Sequence, residues 1–324
     1  MKFKSQTLLL LLTSVICSAQ ITIKNSKNET GVSYATVSFG NGQGIFADDE
    51  GVFIFTEKLY PDVDTLFVTA LGYKDVTVPT SALNNTILMN EEISQLNEVV
   101  LIADNRKYKE ETLKPYLDDD YYHCWLPTIE SEIAVFFKNP DNSLKKLSTI
   151  HFPITLESKD WEKRKKKNAE KKPFSTLFKV KFYENNNGFP GQVLTFENIV
   201  FRATEKNGDT HNLDVSGYNI TFPENGFFVS LQVLGYTDKT GKLLPNKKYK
   251  EIKGKNGIVK IPTNFRPLLP FTADITDNRT YIKRVFINGN NWVQFKKGNV
   301  ESGLFKQGLN NYGIGITYKV YKND

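Results

Sequence analysis

The spacing of turns constrains this chain more than any other feature. From Ile21 onward, short alternating runs are cut by Gly, Pro, Asn and Asp at intervals of about eight to twelve residues, the punctuation of sandwiches and barrels. Ile21-Thr22-Ile23 alternates, and Ala35, Val37 and Phe39 alternate with Thr36 and Ser38. Asp48-Asp49-Glu50-Gly51 reads as a turn with its glycine at positive φ. Val52 to Phe55, Thr65 to Ala70, Lys74 to Val78 and Thr86 to Met89 follow as strands. A second set begins with Ile133 to Phe137 and Leu147 to Pro153 and ends with Ile314 to Tyr321. In between, Phe178, Val180 and Phe182 face one way and Lys179, Lys181 and Tyr183 the other, which predicts a half-buried strand. Asn198 to Ala203, Tyr218 to Phe222 and Phe227 to Leu234 continue the pattern, with Pro223 to Gly226 as a turn. No segment sustains a helical period. The expected fold is all-β: one sandwich over 20–102, then a jelly-roll-like sandwich over 131–324. Between them, 103–130 is highly charged without an apolar face and reads as a linker closed by Asp118-Asp119-Asp120.

The N-terminus carries an address. Lys2 and Lys4 precede the unbroken leucine run Leu8 to Leu12, and Cys17-Ser18-Ala19 supplies small residues before Gln20. That is the pattern of a secretory signal peptide over 1–19. Lipidation at Cys17 is the alternative processing, although bulky Ile16 sits where a small residue is normally wanted. The remaining apolar runs fall short of the roughly 20 residues that a membrane-spanning helix needs. Without the leader the formal charge falls from +6 to +4, and one cysteine remains, Cys124, so an internal disulfide is excluded. The expectation is an exported protein of the periplasm, the outer membrane or the cell surface.

Within 31–102 lie Tyr34-Ala35-Thr36-Val37, then Gly44 through Phe53, then Leu71-Gly72-Tyr73, and finally Leu96-Asn97-Glu98-Val99-Val100-Leu101. Together these resemble the carboxypeptidase-regulatory-like domain of Bacteroidota proteins, over about a quarter of the chain. The resemblance implies a transthyretin-like Greek-key sandwich, and Glu98-Val99-Val100 is similar to the TonB-box-like end of that domain. In that family a TonB-dependent receptor commonly follows. Here about 220 residues remain, too few for a plug and a barrel of about 22 strands. The segment Phe178 to Gly191 also resembles β-sandwich modules of flavobacterial surface proteins.

The residues offer little chemistry. The three histidines, His123, His151 and His211, lack metal-ligand spacing, so no zinc carboxypeptidase site is expected. There is no nucleophile elbow, and Cys124 beside His123 points to the opposite face of a strand. Gly40 to Gly44 joins strands and cannot cradle a phosphate at a helix terminus. Three acidic clusters, Asp48 to Glu50, Asp118 to Asp120, and Asp274, Asp277 with Asn278, lack the spacing of a calcium loop. No catalytic residue, metal or cofactor is assigned.

Charge is the sharpest remaining signal. Segment 162–172 holds Lys163, Arg164, Lys165, Lys166, Lys167, Lys171 and Lys172 against Glu162 and Glu170, a net of +5, while the rest of the mature chain sums to -1. Basicity is therefore local, and this loop is the candidate contact for an anionic partner, with Trp161 beside it as a candidate aromatic contact. A solvated loop is the plainer reading. Partners expected are an envelope protein or a glycan, not nucleic acid. The sequence reading is a non-catalytic binding or scaffolding protein. Its alternatives are a glycan- or peptide-binding accessory of TonB-dependent uptake and an unrecognised hydrolase.

Overall fold

The structure is a computed structural model. It describes residues 20–40, 42–92, 106–141, 143–160, 162, 163, 166, 168–245, 250–254, 257–261, 263–287, 289 and 291–322. The expected leader with Cys17 and the segment Leu96 to Leu101 lie outside the described residues.

Among the described residues, seven strands build the N-terminal sandwich: β1 (Gln20–Asn25), β2 (Thr36–Gly40), β3 (Gln43–Phe46), β4 (Val52–Ile54), β5 (Thr65–Thr69), β6 (Val76–Pro79) and β7 (Thr86–Met89). One sheet runs β4-β1-β7 and the other β3-β2-β5-β6. β1 pairs antiparallel with β4 and parallel with β7, which places the final strand beside the first. The alternation read from sequence sets the buried face, since Ile21, Ile23, Val37, Leu66, Val68, Ile87 and Met89 form the core. Gly51 turns at φ +78, and a Cβ there would lie 2.6 Å from the Ile23 carbonyl oxygen. Asp48 Oδ1 fixes the same turn by accepting from the N–H of Glu50 at 3.1 Å and of Val52 at 2.8 Å.

Among the described residues the second unit comprises sixteen strands. They are β8 (Tyr108–Leu113), β9 (Cys124–Trp125), β10 (Ser131–Phe137), β11 (Lys145–Pro153), β12 (Ser175–Asn186), β13 (Phe189–Val193), β14 (Ile199–Thr204) and β15 (Thr210–Asp214). Then come β16 (Phe227–Tyr236), β17 (Lys250–Gly254), β18 (Gly257–Ile261), β19 (Leu269–Thr272), β20 (Thr280–Arg284), β21 (Val293–Gln294), β22 (Asn311–Tyr312) and β23 (Gly315–Tyr321). The large sheet has the order β13-β12-β16-β10-β20-β21, with β14 also on β12; facing it is β15-β11-β23-β8. Ile133, Phe178, Val180, Phe182, Val229 and Leu231 meet Leu147, Ile150, Phe152, Ile316 and Tyr318 in one apolar core. Each large side chain removed from water there contributes about 1.5–3 kcal/mol. The chain is all-β, as expected, and sandwich-like in both halves. Among the described residues no helix is long and apolar enough to cross a membrane.

Three expectations need correction. The stretch 103–130 is not simply a linker: β8 pairs with β23 along six residues and β9 pairs with β19. Its charges misled because β8 is an edge strand, where Lys109, Glu110 and Glu111 discourage pairing with further chains. Tyr218 to Phe222 is not a continuous strand, because Asn219 takes φ 53 and breaks it after a short 3-10 turn. Finally, β12 is buried on both faces: Lys179 is only 5% exposed and Tyr183 8%. The large sheet curls over that second face. Phe189 on β13 meets Tyr281 on β20 at 5.5 Å although other strands separate them, and Tyr183 meets Trp292 at 5.5 Å.

The two sandwiches are packed together. Ser38 Oγ donates to the Phe286 carbonyl at 2.6 Å in a buried contact, and the rings of Phe46 and Phe286 lie 5.1 Å apart. Gly44 permits the approach, since a Cβ there would sit 2.5 Å from the Phe286 ring.

Candidate functional site

The strongest site is a cleft in the second unit. It is formed where the chain 116–121 crosses the end of β11, opposite the lysine-rich loop. Its volume is ≈ 530 Å³, and its walls include Tyr116, Asp118, Asp119, Tyr121, Lys166 and Lys171. The loop is tied back at its base. Lys172 N–H donates to the Glu157 carbonyl at 2.7 Å and Lys159 N–H to the Glu170 carbonyl at 2.9 Å. Its outer cations are divided. Lys172 pairs with Glu157 at 2.9 Å and Lys163 with Asp160 at 2.9 Å, whereas Lys166 and Lys171 line the cleft. Trp161, Arg164, Lys165 and Lys167 lie outside the described residues.

The opposite wall is organised by Asp118. Its Oδ2 accepts from the Tyr116 hydroxyl at 2.9 Å and from His123 Nδ1–H at 2.6 Å, and its Oδ1 accepts from the Asp120 N–H at 2.8 Å. Thr155 Oγ donates to the Asp118 carbonyl at 2.6 Å and anchors the crossing to the strand end. Burial opposes the charge on Asp118, but these donors outweigh it and hold the carboxyl below its ordinary range. The same hydrogen bond raises His123 above the usual imidazole value. Burial and the acceptor Asp118 push the Tyr116 hydroxyl up to about 12. Asp118 is thus a structural carboxylate whose oxygens are already occupied.

An imidazole oriented by a carboxylate, with a thiol next in sequence, invites comparison with a nucleophilic triad. The geometry does not assemble one. Cys124 donates to the Asp120 carbonyl at 3.3 Å and to Thr155 Oγ at 3.4 Å. Burial pushes its thiol up to about 12, so the nucleophilic thiolate is scarce at neutral pH. The other histidines are not among the residues that line the cleft. His151 bonds Asn212 at 2.7 Å and Thr317 at 2.8 Å across the outer sheet, and His211 stacks on Phe201 at 4.2 Å, its burial lowering its pKa. Of the acidic clusters, Asp48 caps its own turn and Asp118 braces the crossing. Among the described residues no group of three or more His, Cys, Asp or Glu is placed to hold a metal ion.

No family model and no curated protein matches the chain. Solved structures that align with it include two of a clostridial cysteine protease. One is the cysteine protease and lectin-like domains of Cwp84, a surface layer associated protein of Clostridium difficile, at 10% identity and a TM-score of 0.35, covering 89% of this chain and 59% of that one. The other is the clostridial cysteine protease Cwp84 after propeptide cleavage, at 15% identity and a TM-score of 0.32, covering 65% of this chain and 40% of that one. The chain therefore spans about half the length of the structures it aligns with. Alignments of this depth fix neither fold nor activity.

Sequence reasoning found the loop but not the wall it faces. Asp118 to Asp120 stood out as an acidic cluster. What could have marked them as built-in is the Asx-turn spacing: Asp118 accepts from Asp120 N–H, and Asp120 in turn from Tyr122 N–H at 3.0 Å.

Proposed function

We propose that this chain is an exported, non-catalytic binding protein of the cell envelope, and that it takes an acidic glycan in the cleft between Tyr116–Tyr121 and the lysine loop. The observation that carries the reading is the presence of Lys166 and Lys171 on the cleft wall, opposite two tyrosines and Asp119. Ammonium groups suit sugar carboxylates or sulfates, tyrosine rings suit sugar faces, and an aspartate accepts from ring hydroxyls. Export rests on the leader read over 1–19. The N-terminal sandwich is read as a carboxypeptidase-regulatory-like domain, which also supports the variant in which the protein serves TonB-dependent uptake. The hydrolase alternative calls for carboxylates or histidines converging in a pocket from distant parts of the chain; Asp118, Asp119 and Asp209 do line this cleft, with the Asp118 carboxylate engaged by Tyr116 and His123. Cys124 is a poor nucleophile, because its half-buried thiol is held protonated.

The test is binding of an acidic polysaccharide and its neutral counterpart to the full chain, measured by calorimetry. The comparison is wild type against a Lys166→Glu, Lys171→Glu double variant. The acidic glycan should bind wild type with an affinity that falls as salt rises, and binding should drop at least about tenfold in the variant, roughly 1.4 kcal/mol. Equal binding by both proteins would remove the cleft from the proposal, and turnover of the glycan would overturn the non-catalytic reading.

A further inference from the structure

Inside the curl of the large sheet, one cross-strand row runs Lys179, Gln232, Glu132, Lys283 over β12, β16, β10 and β20. Direct cross-strand partners hold their Cβ atoms about 4.5–5.5 Å apart on the same face, well within reach of a lysine side chain. Its first three members are buried, with Lys179 5% exposed, Gln232 2% and Glu132 1%. Gln232 Nε2 is buried with no hydrogen-bond partner. The Glu132 carboxylate is engaged elsewhere, by Lys181 at 3.1 Å, Tyr183 at 2.8 Å and Ser230 at 2.6 Å. Gln232 therefore leaves an amide nitrogen unsatisfied at the centre of the sheet, with Lys179 as its direct cross-strand neighbour.

We propose that Lys179 and Gln232 join in an intramolecular isopeptide bond that straps β12 to β16. The Lys179 amine nitrogen bonds to Gln232 Cδ and the Cδ–Nε2 bond breaks. One amine proton passes to the departing nitrogen, so ammonia leaves and a secondary amide remains, with no change of oxidation state. Burial, with the nearby Lys181 charge as a smaller cause, presses the Lys179 amine down to about 7, so a nucleophilic unprotonated fraction exists at neutral pH. Glu132, the partner of Gln232 on its other side, is the neighbouring carboxylate able to carry the proton. The product replaces a buried amine and the unpartnered primary amide by one neutral secondary amide, which lowers the polar burden of the buried row. It would also give this chain a covalent staple, since Cys124 alone can form no internal disulfide.

The experiment is trypsin digestion of the purified full chain followed by tandem mass spectrometry. The expected result is a branched peptide joining the β12 and β16 segments, uncleaved after Lys179 and lighter than its two arms by one ammonia. Intact mass alone does not decide, because cyclisation of an N-terminal glutamine also releases ammonia. A Lys179→Met variant should yield Gln232 in a linear peptide and no branched species. Recovery from wild type of linear peptides only, cleaved after Lys179 and with the Gln232 amide intact, overturns the proposal.

Discussion

Replacing Asp118 by Asn tests whether this one carboxylate shapes the cleft wall. The amide keeps an oxygen for the Asp120 N–H but cannot also accept from both the Tyr116 hydroxyl and His123. Hydrogen bonds to charged groups contribute about 1.5–3 kcal/mol each, and neutral ones about half that. His123 is 33% exposed at its side chain, so solvent screening puts its share at the low end. The combined loss is about 2 kcal/mol, or a melting temperature lower by roughly 4–8 °C for a unit the size of the second sandwich. The pH dependence is more diagnostic. Asp118 is depressed, so its contribution is present above the unfolded carboxyl value of about 3.9 and is lost as pH falls through the lower folded value. His123 is raised, so its contribution is full below the unfolded value of about 6.5 and is lost as pH rises through the higher folded value. The difference between wild type and Asp118→Asn should therefore be largest between about pH 4 and 6.5 and shrink by pH 9. Calorimetric melts of both proteins across that range measure it. A difference that is flat with pH, or less than about 1 °C throughout, would refute the assignment of Asp118 as the brace.

Three further outcomes follow from the geometry. Cys124, half-buried and with its thiol pushed up to about 12, should react with a disulfide reagent far more slowly in the native chain than after denaturation; equal rates at pH 8 would contradict that shift. Gly51→Ala should destabilise the N-terminal sandwich by about 1–3 kcal/mol, since it combines φ +78 with a Cβ placed against the Ile23 carbonyl oxygen, and denaturant titration reads this directly. Ser38→Ala should cost about 1–3 kcal/mol by leaving the Phe286 carbonyl without that donor, and limited proteolysis should then cut between the sandwiches sooner than in wild type.

What the sequence made legible depended on whether one rule acted alone. The turn at Asp48 to Gly51 needs positive φ and a capping carboxylate, both local demands, and the residues announce them. The strands of the N-terminal core alternate because one face meets water, so their period survives in the text. β8 hides for the opposite reason: an edge strand is solvated on most sides, and its charges look like those of a linker until β23 supplies the ladder. The cleft is similar, since Lys166 and Asp118 stand far apart in sequence and nothing local tells either about the other.

β12 is the instructive failure, because its alternation was real and the inference from it was wrong. Lys179, Lys181 and Tyr183 do share a face, opposite Phe178, Val180 and Phe182. Polar residues on one face predict water there only while the sheet stays open. Contact of Phe189 with Tyr281, and of Tyr183 with Trp292, shows the sheet closing over that face. A buried charge must then find partners or change its chemistry. Lys181 and Tyr183 take the first course through Glu132, a residue that reads on its own as one more surface carboxylate on β10. The Gln232 amide nitrogen finds no partner, and its position in the row beside Lys179, rather than the identity of either residue, is what makes the pair a reactive candidate. The information lies in long-range strand order, in which β16 inserts between β10 and β12. A periodicity argument cannot reach it, because period two assigns faces without saying which of them the rest of the chain will cover.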